Sequence, residues 1–278
     1  MFRIVNKIEL ADKIKLFEIE HQLLANKAKP GQFVIVRLHE NGERIPLTIA
    51  DFDKNKGTVT LVVQEVGKTT TDMGNLSIGD NILDCLGPLG QPSEIANFGT
   101  VLAIAGGLGV APLYPIIREL KNAGNKIITV VGARTASLLF WLDKIGSVSD
   151  QLYIATDDGS IGEKGLVTDI QKRIIESEKI NKIYAIGPAI MMKFVVETSR
   201  PKNISTIVSL NSIMIDGTGM CGGCRVKVGQ ETKFACVDGP EFEGLEVDFT
   251  NLLDRQKFYL EQEKLSKDHV CKIGLKEC

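Results

Sequence analysis

An antiparallel barrel or sandwich, then an α/β domain on a parallel sheet, then a cysteine loop with a helical tail: this is the architecture predicted by the 278-residue chain. Three observations carry it. Residues 1 to about 97 hold short runs of period-two alternation separated by Pro-Gly, Asn-Gly and Gly-Asp turns, the signature of antiparallel strands. From residue 98 to about 211, apolar runs ending in glycine alternate with segments of helical spacing, as a parallel sheet with helices on both faces requires. From 212 to 278 the chain turns glycine- and cysteine-rich and then charged.

In the first segment, Ile4, Ile8 and Leu10, then Ile14, Leu16 and Ile19, alternate with polar residues, followed by strands at 33–38, 58–66 and 81–87. No long helix is expected there. The second segment reads as strand 100–107, helix 110–124, strand 126–134, helix 137–146, strand 151–158, helix 166–178, strand 182–188, helix 189–200 and strand 205–211. The charged stretch 247–270 reads as one helix closing the chain.

Thirty-three basic and thirty-five acidic residues leave a net charge of −2, which lacks the positive footprint of a nucleic-acid binder. No apolar run approaches the roughly 18–20 residues that span a bilayer. The first twenty residues alternate with charges throughout and lack the apolar core of a signal peptide, so a cytoplasmic location is expected.

The six cysteines are unevenly placed. Cys221, Cys224 and Cys236 cluster, and Asp216 precedes them to give Asp-x4-Cys-x2-Cys-x11-Cys. The plant-type [2Fe–2S] loop is Cys-x4-Cys-x2-Cys with a distant fourth cysteine, so Asp216, Cys221, Cys224 and Cys236 are candidate ligands, with the carboxylate in the first cysteine's place. A Cys3Asp zinc site uses the same residue types, and free thiols are a further reading. Glycines at 217, 219, 222 and 223 permit the positive φ and close amides that a wrapped cluster needs. Cys85 reads as a buried strand residue, and Cys271 and Cys278 as incidental. A carboxylate ligand can take a proton, so a pH-dependent cluster potential is an expectation attached to Asp216.

Nucleotide sites are the other signal. The run 103–112, AIAGGLGVAP, is strand, glycine turn and helix start, and such amides with the helix dipole suit a pyrophosphate. Asp157 and Asp158 end another strand. A carboxylate there would accept from a ribose hydroxyl and repel a 2′-phosphate, favouring NAD(H) over NADP(H), although Arg134 argues the other way. In the first segment, Arg44, Pro46 and Thr48 in ERIPLT, and VGKTT at 66–70, supply an arginine, hydroxyls and exposed amides of the kind that hold a flavin diphosphate. His21, His39 and His269 sit in no motif, and no acid–base catalyst is nominated.

Taken together, PGQF (30–33), RIPLT (44–48), GKTT (67–70), GPLG (87–90), GGLGVAP (106–112), TDDGSIGEKG (156–165), GPAIMMK (187–193) and DGTGMCGGCR with FACVDGPEF (216–242) resemble the ferredoxin–NADP reductase superfamily: a flavin β-barrel followed by a nicotinamide domain. Within it the chain is similar to electron-transfer subunits of the dihydroorotate dehydrogenase and sulfide dehydrogenase type. Asp216 departs from the cysteine usual in the dihydroorotate type and agrees with the small subunit of the electron-bifurcating NADH-dependent ferredoxin:NADP oxidoreductase. The resemblance implies FAD against Arg44, Pro46, Leu47, Thr48, Gln64, Gly67, Thr69 and Thr70. It implies NAD(H) near Gly107, Gly109, Asp157 and Gly187, and a [2Fe–2S] cluster on Asp216, Cys221, Cys224 and Cys236. It divides the chain into a flavin barrel (1–97), a nicotinamide domain (98–211) and a cluster loop with tail (212–278). It further implies a heterodimer with a larger subunit carrying a second flavin, [4Fe–4S] clusters and the NADP(H) site, with ferredoxin served through the complex. An electron-transfer subunit serving dihydroorotate dehydrogenase, and a non-catalytic redox-sensing iron–sulfur protein, are the competing readings.

Overall fold

The computed structural model describes residues 1–268, so His269, Cys271 and Cys278 lie outside the described residues. Seven strands build the first sheet: β1 (Phe2–Ala11), β2 (Ile14–Glu20), β3 (Phe33–Arg37), β4 (Ile45–Asp53), β5 (Thr58–Gln64), β6 (Asn81–Ile82) and β7 (Asp84–Leu89). Their spatial order is β6-β1-β2-β5-β4-β3-β7, antiparallel throughout. The two outer strands follow one another directly in the chain, which nearly closes the sheet into a barrel. Ile4, Phe17, Ile19, Val34, Val36, Val59, Leu61 and Val63 fill its interior, as period two dictates. Cys85 belongs to this core, and burial pushes its thiol up to about 12.

Two short helices attach to the barrel, α1 (Gln22–Lys27) and α2 (Lys68–Asn75). His21 caps α1 through Nδ1 and stacks on Phe2 at 4.5 Å, a packing role. Helix α2 is not evident in the sequence, because its run of three threonines (69–71) has weak helix propensity. It forms because the Thr70 hydroxyl accepts from the Val66 and Gly67 amides, at 3.1 and 3.0 Å, and caps the turn.

The second sheet contains β8 (Thr100–Gly106), β9 (Lys126–Ala133), β10 (Gln151–Thr156), β11 (Glu163–Lys164), β12 (Lys182–Ile186) and β13 (Thr206–Ser209). They lie in the order β11-β10-β9-β8-β12-β13, all parallel. Helices α3 (Val110–Asn122) and α4 (Leu142–Gly146) cover one face, and α5 (Val167–Ser177) and α6 (Ala189–Ser199) the other. Strand residues serve the faces alternately: Val101, Ala103 and Ala105 face α3, while Leu102 and Ile104 face α5 and α6. The helix expected over 137–146 breaks. Leu139–Trp141 are non-helical, and Trp141 takes the left-handed conformation at φ 57°. Aromatic packing wins there: Trp141 meets Tyr114 and Phe140 edge-on, each at 5.8 Å.

After β13 come a hairpin of β14 (Arg225–Val228) and β15 (Glu231–Phe234), then β16 (Glu241–Glu243), which joins β13 antiparallel and ends the parallel sheet. The tail is two helices, α7 (Phe249–Arg255) and α8 (Leu260–Asp268), where one was expected. The end of α7 is tied down before the chain can continue: the Gln256 amide donates to the Asn211 carbonyl at 3.0 Å. Among the described residues, no helix is long and apolar enough to cross a membrane.

The barrel packs on the parallel sheet through its outer surface. Ile14, Ala50 and Val62 enter the same core as Val110, Leu113, Tyr114 and Ile117 of α3. At the rim, Asp51 of β4 accepts from Arg118 Nη1 at 2.7 Å and Lys144 Nζ at 2.8 Å. The cations are held in turn by aromatic faces, Lys144 lying 4.1 Å from the Tyr114 and Trp141 ring centres. Burial raises the Asp51 carboxyl, but the bonds from Lys144 and Arg118 outweigh it and leave the group below its ordinary value of 3.8. Asp51→Ala is expected to destabilise the protein by about 1–2 kcal/mol, since the three groups are mostly but not fully buried. Denaturant unfolding should give the full difference above pH 3.8 and lose it as pH falls through the lowered carboxyl value.

Candidate nucleotide and cluster sites

In the strand order β9-β8-β12 the connection leaves β8 toward opposite sides, so the crevice at the carboxyl ends of β8 and β12 is the topological switch point, where open α/β sheets take their ligands. Two glycine turns meet there. A side chain at Gly109 would collide with the Ile186 carbonyl, and one at Gly187 would come within 3.1 Å of the Gly106 backbone. Gly107 differs: it has φ +54° and open space where a Cβ would be. The result is a bare backbone cradle at the start of α3, where the first amides of a helix lack intrahelical acceptors. This cradle fits a dinucleotide pyrophosphate and a nicotinamide ring at close approach. Asp157 lies two strands away, at the tip of β10. It is exposed and has no hydrogen-bonded side-chain partner among the described residues. Asp158 is committed to Ser160, whose amide and hydroxyl donate to it at 2.9 and 2.6 Å. Of the two carboxylates, Asp157 is the one free to meet a ribose, with the exposed Arg134 beside it at the end of β9.

On the barrel, the stretch after Arg44 is strand β4, absent from the strands read in the sequence. Pro46 hides this, being rare in strands. It is tolerated because Ile45–Thr48 pair with β3 while pairing with β5 begins at Ile49, so the position lacking an N–H faces no second ladder. One backbone edge of Pro46, Leu47 and Thr48 is therefore open, and Arg44 is exposed beside it. The Thr69 hydroxyl donates to Glu43 at 2.8 Å and draws the start of α2 to the start of β4. Gly67, Thr69 and Thr70 thus surround the N-terminus of α2, whose first amides lack helical acceptors. Gln64 ends β5, and the Gly107–Gly109 turn packs beside that strand. An open strand edge, an arginine and a helix N-terminus fit a flavin diphosphate, and the glycine crevice lies next to it.

The cysteine loop is only partly gathered. Cys224 and Cys236 are buried, and their sulfurs stand 3.1 Å apart. Burial and the Cys224 contact push the Cys236 thiol up, so a metal would have to supply the energy of deprotonation. Cys221 is exposed, and its sulfur accepts from the Gly223 amide at 3.4 Å. The Asp216 oxygens accept from the Thr218 and Cys221 amides, at 2.9 and 2.7 Å, and these bonds hold the carboxyl below its ordinary range. Among the described residues, no three candidate ligands converge as a preformed metal site. The donor set of three thiols and an ionised carboxylate nevertheless fits an iron–sulfur cluster. Gly217, Gly219 and Gly222 all take positive φ, which lets the backbone wrap closely. A side chain at Gly217 would come within 2.7 Å of Ile35 and 2.8 Å of Leu89, so the loop lies directly on barrel strands β3 and β7.

The two cradle glycines separate packing from binding. Gly109→Ala should fail to fold, since the Ile186 backbone cannot move away. Gly107→Ala should fold with about 1–2 kcal/mol of left-handed strain and bind NADH at least tenfold more weakly, as measured by fluorescence titration.

Family models and known proteins match this chain along nearly its whole length. Residues 103–197 match the oxidoreductase NAD-binding domain, and residues 211–248 match the iron–sulfur cluster binding domain of dihydroorotate dehydrogenase B. A Thermotoga maritima homolog of the dihydroorotate dehydrogenase B (NAD(+)) electron transfer subunit is 51% identical, covering 98% of this chain and 96% of that protein. The corresponding electron transfer subunit of Geobacillus thermodenitrificans is 33% identical, covering 88% and 96%. A chain from the structure of NADH-dependent reduced ferredoxin–NADP oxidoreductase, an enzyme of flavin-based electron bifurcation, superposes with TM-score 0.91 at 50% identity over 96% of each chain. Phthalate dioxygenase reductase shares the fold at TM-score 0.57 and 16% identity, over 82% of this chain and 85% of that one. This chain, an oxidoreductase subunit, belongs to the family of dihydroorotate dehydrogenase B electron transfer subunits and their homologues.

Proposed function

We propose that this chain is the NAD(H)-side subunit of a flavin-based, electron-bifurcating NADH-dependent ferredoxin:NADP oxidoreductase, working in the cytoplasm beside a larger subunit that carries a second flavin, [4Fe–4S] clusters and the NADP(H) site. Asp216 carries this reading over its nearest rival: it stands at the position where the dihydroorotate type usually has cysteine. The 50% identity and TM-score of 0.91 to the bifurcating enzyme's chain support it. On this reading residues 1–97 hold FAD, 98–211 hold NAD(H), and 212–278 hold the cluster and the tail.

Bound FAD would supply the exchange of a two-electron hydride for single electrons, and a bound [2Fe–2S] centre the one-electron relay. The chain's own residues position them. The Gly107–Gly109 cradle and Gly187 admit the dinucleotide, and Asp157 accepts from its ribose. The open edge of Pro46–Thr48 holds the ring side of the flavin, while Arg44 and the amides around Gly67, Thr69 and Thr70 hold its phosphates. Asp216, Cys221, Cys224 and Cys236 hold the iron. No residue need donate or accept a proton in the hydride step, so no acid–base residue is assigned.

Anaerobic purification from native cells, with identification of what accompanies the chain, tests the complex. A flavin and iron–sulfur subunit with an NADP(H) fold is expected, and a dihydroorotate dehydrogenase barrel would reassign the chain to that enzyme. For the ligand set, Asp216→Ala should lose most of the bound iron and the visible spectrum while Asp216→Cys keeps both, and an unchanged iron content in Asp216→Ala would remove Asp216 from the set. For the nucleotide, Asp157→Ala should narrow the NADH-over-NADPH preference about tenfold in kcat/KM, the value of one lost or relieved charge contact.

A further inference from the structure

If Cys221 and Cys224 hold the cluster, as proposed above, the turn between them has a permanent cation attached to it. Arg255, the last residue of α7, donates from Nη2 to the Gly223 carbonyl at 3.0 Å. That carbonyl belongs to the peptide leading into Cys224. The opposite side of the same glycine donates its amide to the Cys221 sulfur at 3.4 Å. Arg255 is half-buried, and its guanidinium lies 5.4 Å from the Phe258 ring centre. Among the described residues it has no carboxylate partner: the adjacent Asp254 is taken by Lys257 at 2.9 Å. Arg118, Arg37 and Arg173, by contrast, are each neutralised by an acid. The helix that presents Arg255 is firmly placed, with Asp248 capping Asn251 at 3.0 Å and with Phe249 and Leu252 buried. Arg255 also lies beyond the residues matched by the iron–sulfur family, 211–248.

We propose that Arg255 sets the reduction potential of the cluster, holding it higher than the loop alone would. Reduction adds one electron, supplied by NADH through the flavin, and makes the site more negative by one charge. No bond breaks in this step. A fixed, unneutralised cation stabilises that product over the oxidised state, because it lies beside the turn that carries both cysteines. At an effective dielectric of about 20, a unit charge so placed is worth about tenfold in the one-electron equilibrium, or about 59 mV.

The test is an anaerobic redox titration of the intact protein, followed by electron paramagnetic resonance, for wild type, Arg255→Gln, Arg255→Met, Arg255→Lys and the control Lys257→Gln. Iron and sulfide are counted first, and a wild type without cluster overturns the functional reading along with this inference. With the cluster present, the two neutral variants should fall by about tenfold in electron affinity, while Arg255→Lys and Lys257→Gln stay within threefold of wild type. An unchanged potential in the neutral variants overturns the assignment, as does an equal fall in Arg255→Lys or Lys257→Gln. Should both neutral variants lose iron, Arg255→Lys decides: a retained potential supports the assignment, and a tenfold fall overturns it.

Discussion

The seam between the barrel and helix α3 is the contact on which the rest of the molecule depends. Strand β4 carries the open edge at Pro46–Thr48 and, three residues on, Asp51; helix α3 begins at the glycine cradle and carries Arg118. Joining Asp51 to Arg118 and Lys144, over the shared apolar core of Ile14, Ala50 and Val62, fixes strand β4 and helix α3 relative to each other. Transfer between two bound cofactors is steeply sensitive to their separation and alignment. With the cofactors placed as proposed above, the seam would supply that alignment without contributing a group to the chemistry.

The loop at 214–224 continues the same logic. It does not form an isolated module. Gly217 lies on Ile35 and Leu89 of the barrel, and Cys224 and Cys236 share a core with Phe33 and Leu102. The segment joining the two sheets is bonded to the far end of the loop: Gln91 donates to the Gly239 and Val237 carbonyls, and the Ser93 hydroxyl donates to Glu241 at 2.6 Å. Burial at this junction pushes the Glu241 carboxyl up to about 7. Three stretches far apart in sequence thus meet at one point.

What the sequence makes legible follows from where the signal is local. Strands 100–106 and 126–133 are nearly continuous apolar runs ended by glycine, and the parallel sheet follows from them. The Asp216 and cysteine spacing names the candidate ligands because ligand spacing is itself a local property. Strand β4 escapes because Pro46 reads as a breaker, and its tolerance depends on a neighbour, β5, that begins pairing three residues later. The break at Trp141 escapes because the aromatic pocket that causes it is built by Tyr114 on another helix. The Asp51 clamp and the Arg255 contact span 67, 93 and 32 residues, and no periodicity encodes a partner at such range.

Strand β16 has one more consequence. By lying antiparallel along β13, it occupies the hydrogen-bonding groups that would otherwise end the parallel sheet as an unpaired edge, and bare edges of this kind recruit strands from other molecules. The stretch that follows the cysteines therefore leaves the sheet with an edge strand of only three residues, and short edge strands offer little for another chain to pair with. A version of the chain shortened at residue 211 would lose the iron–sulfur segment and leave β13 as the edge in place of the shorter β16.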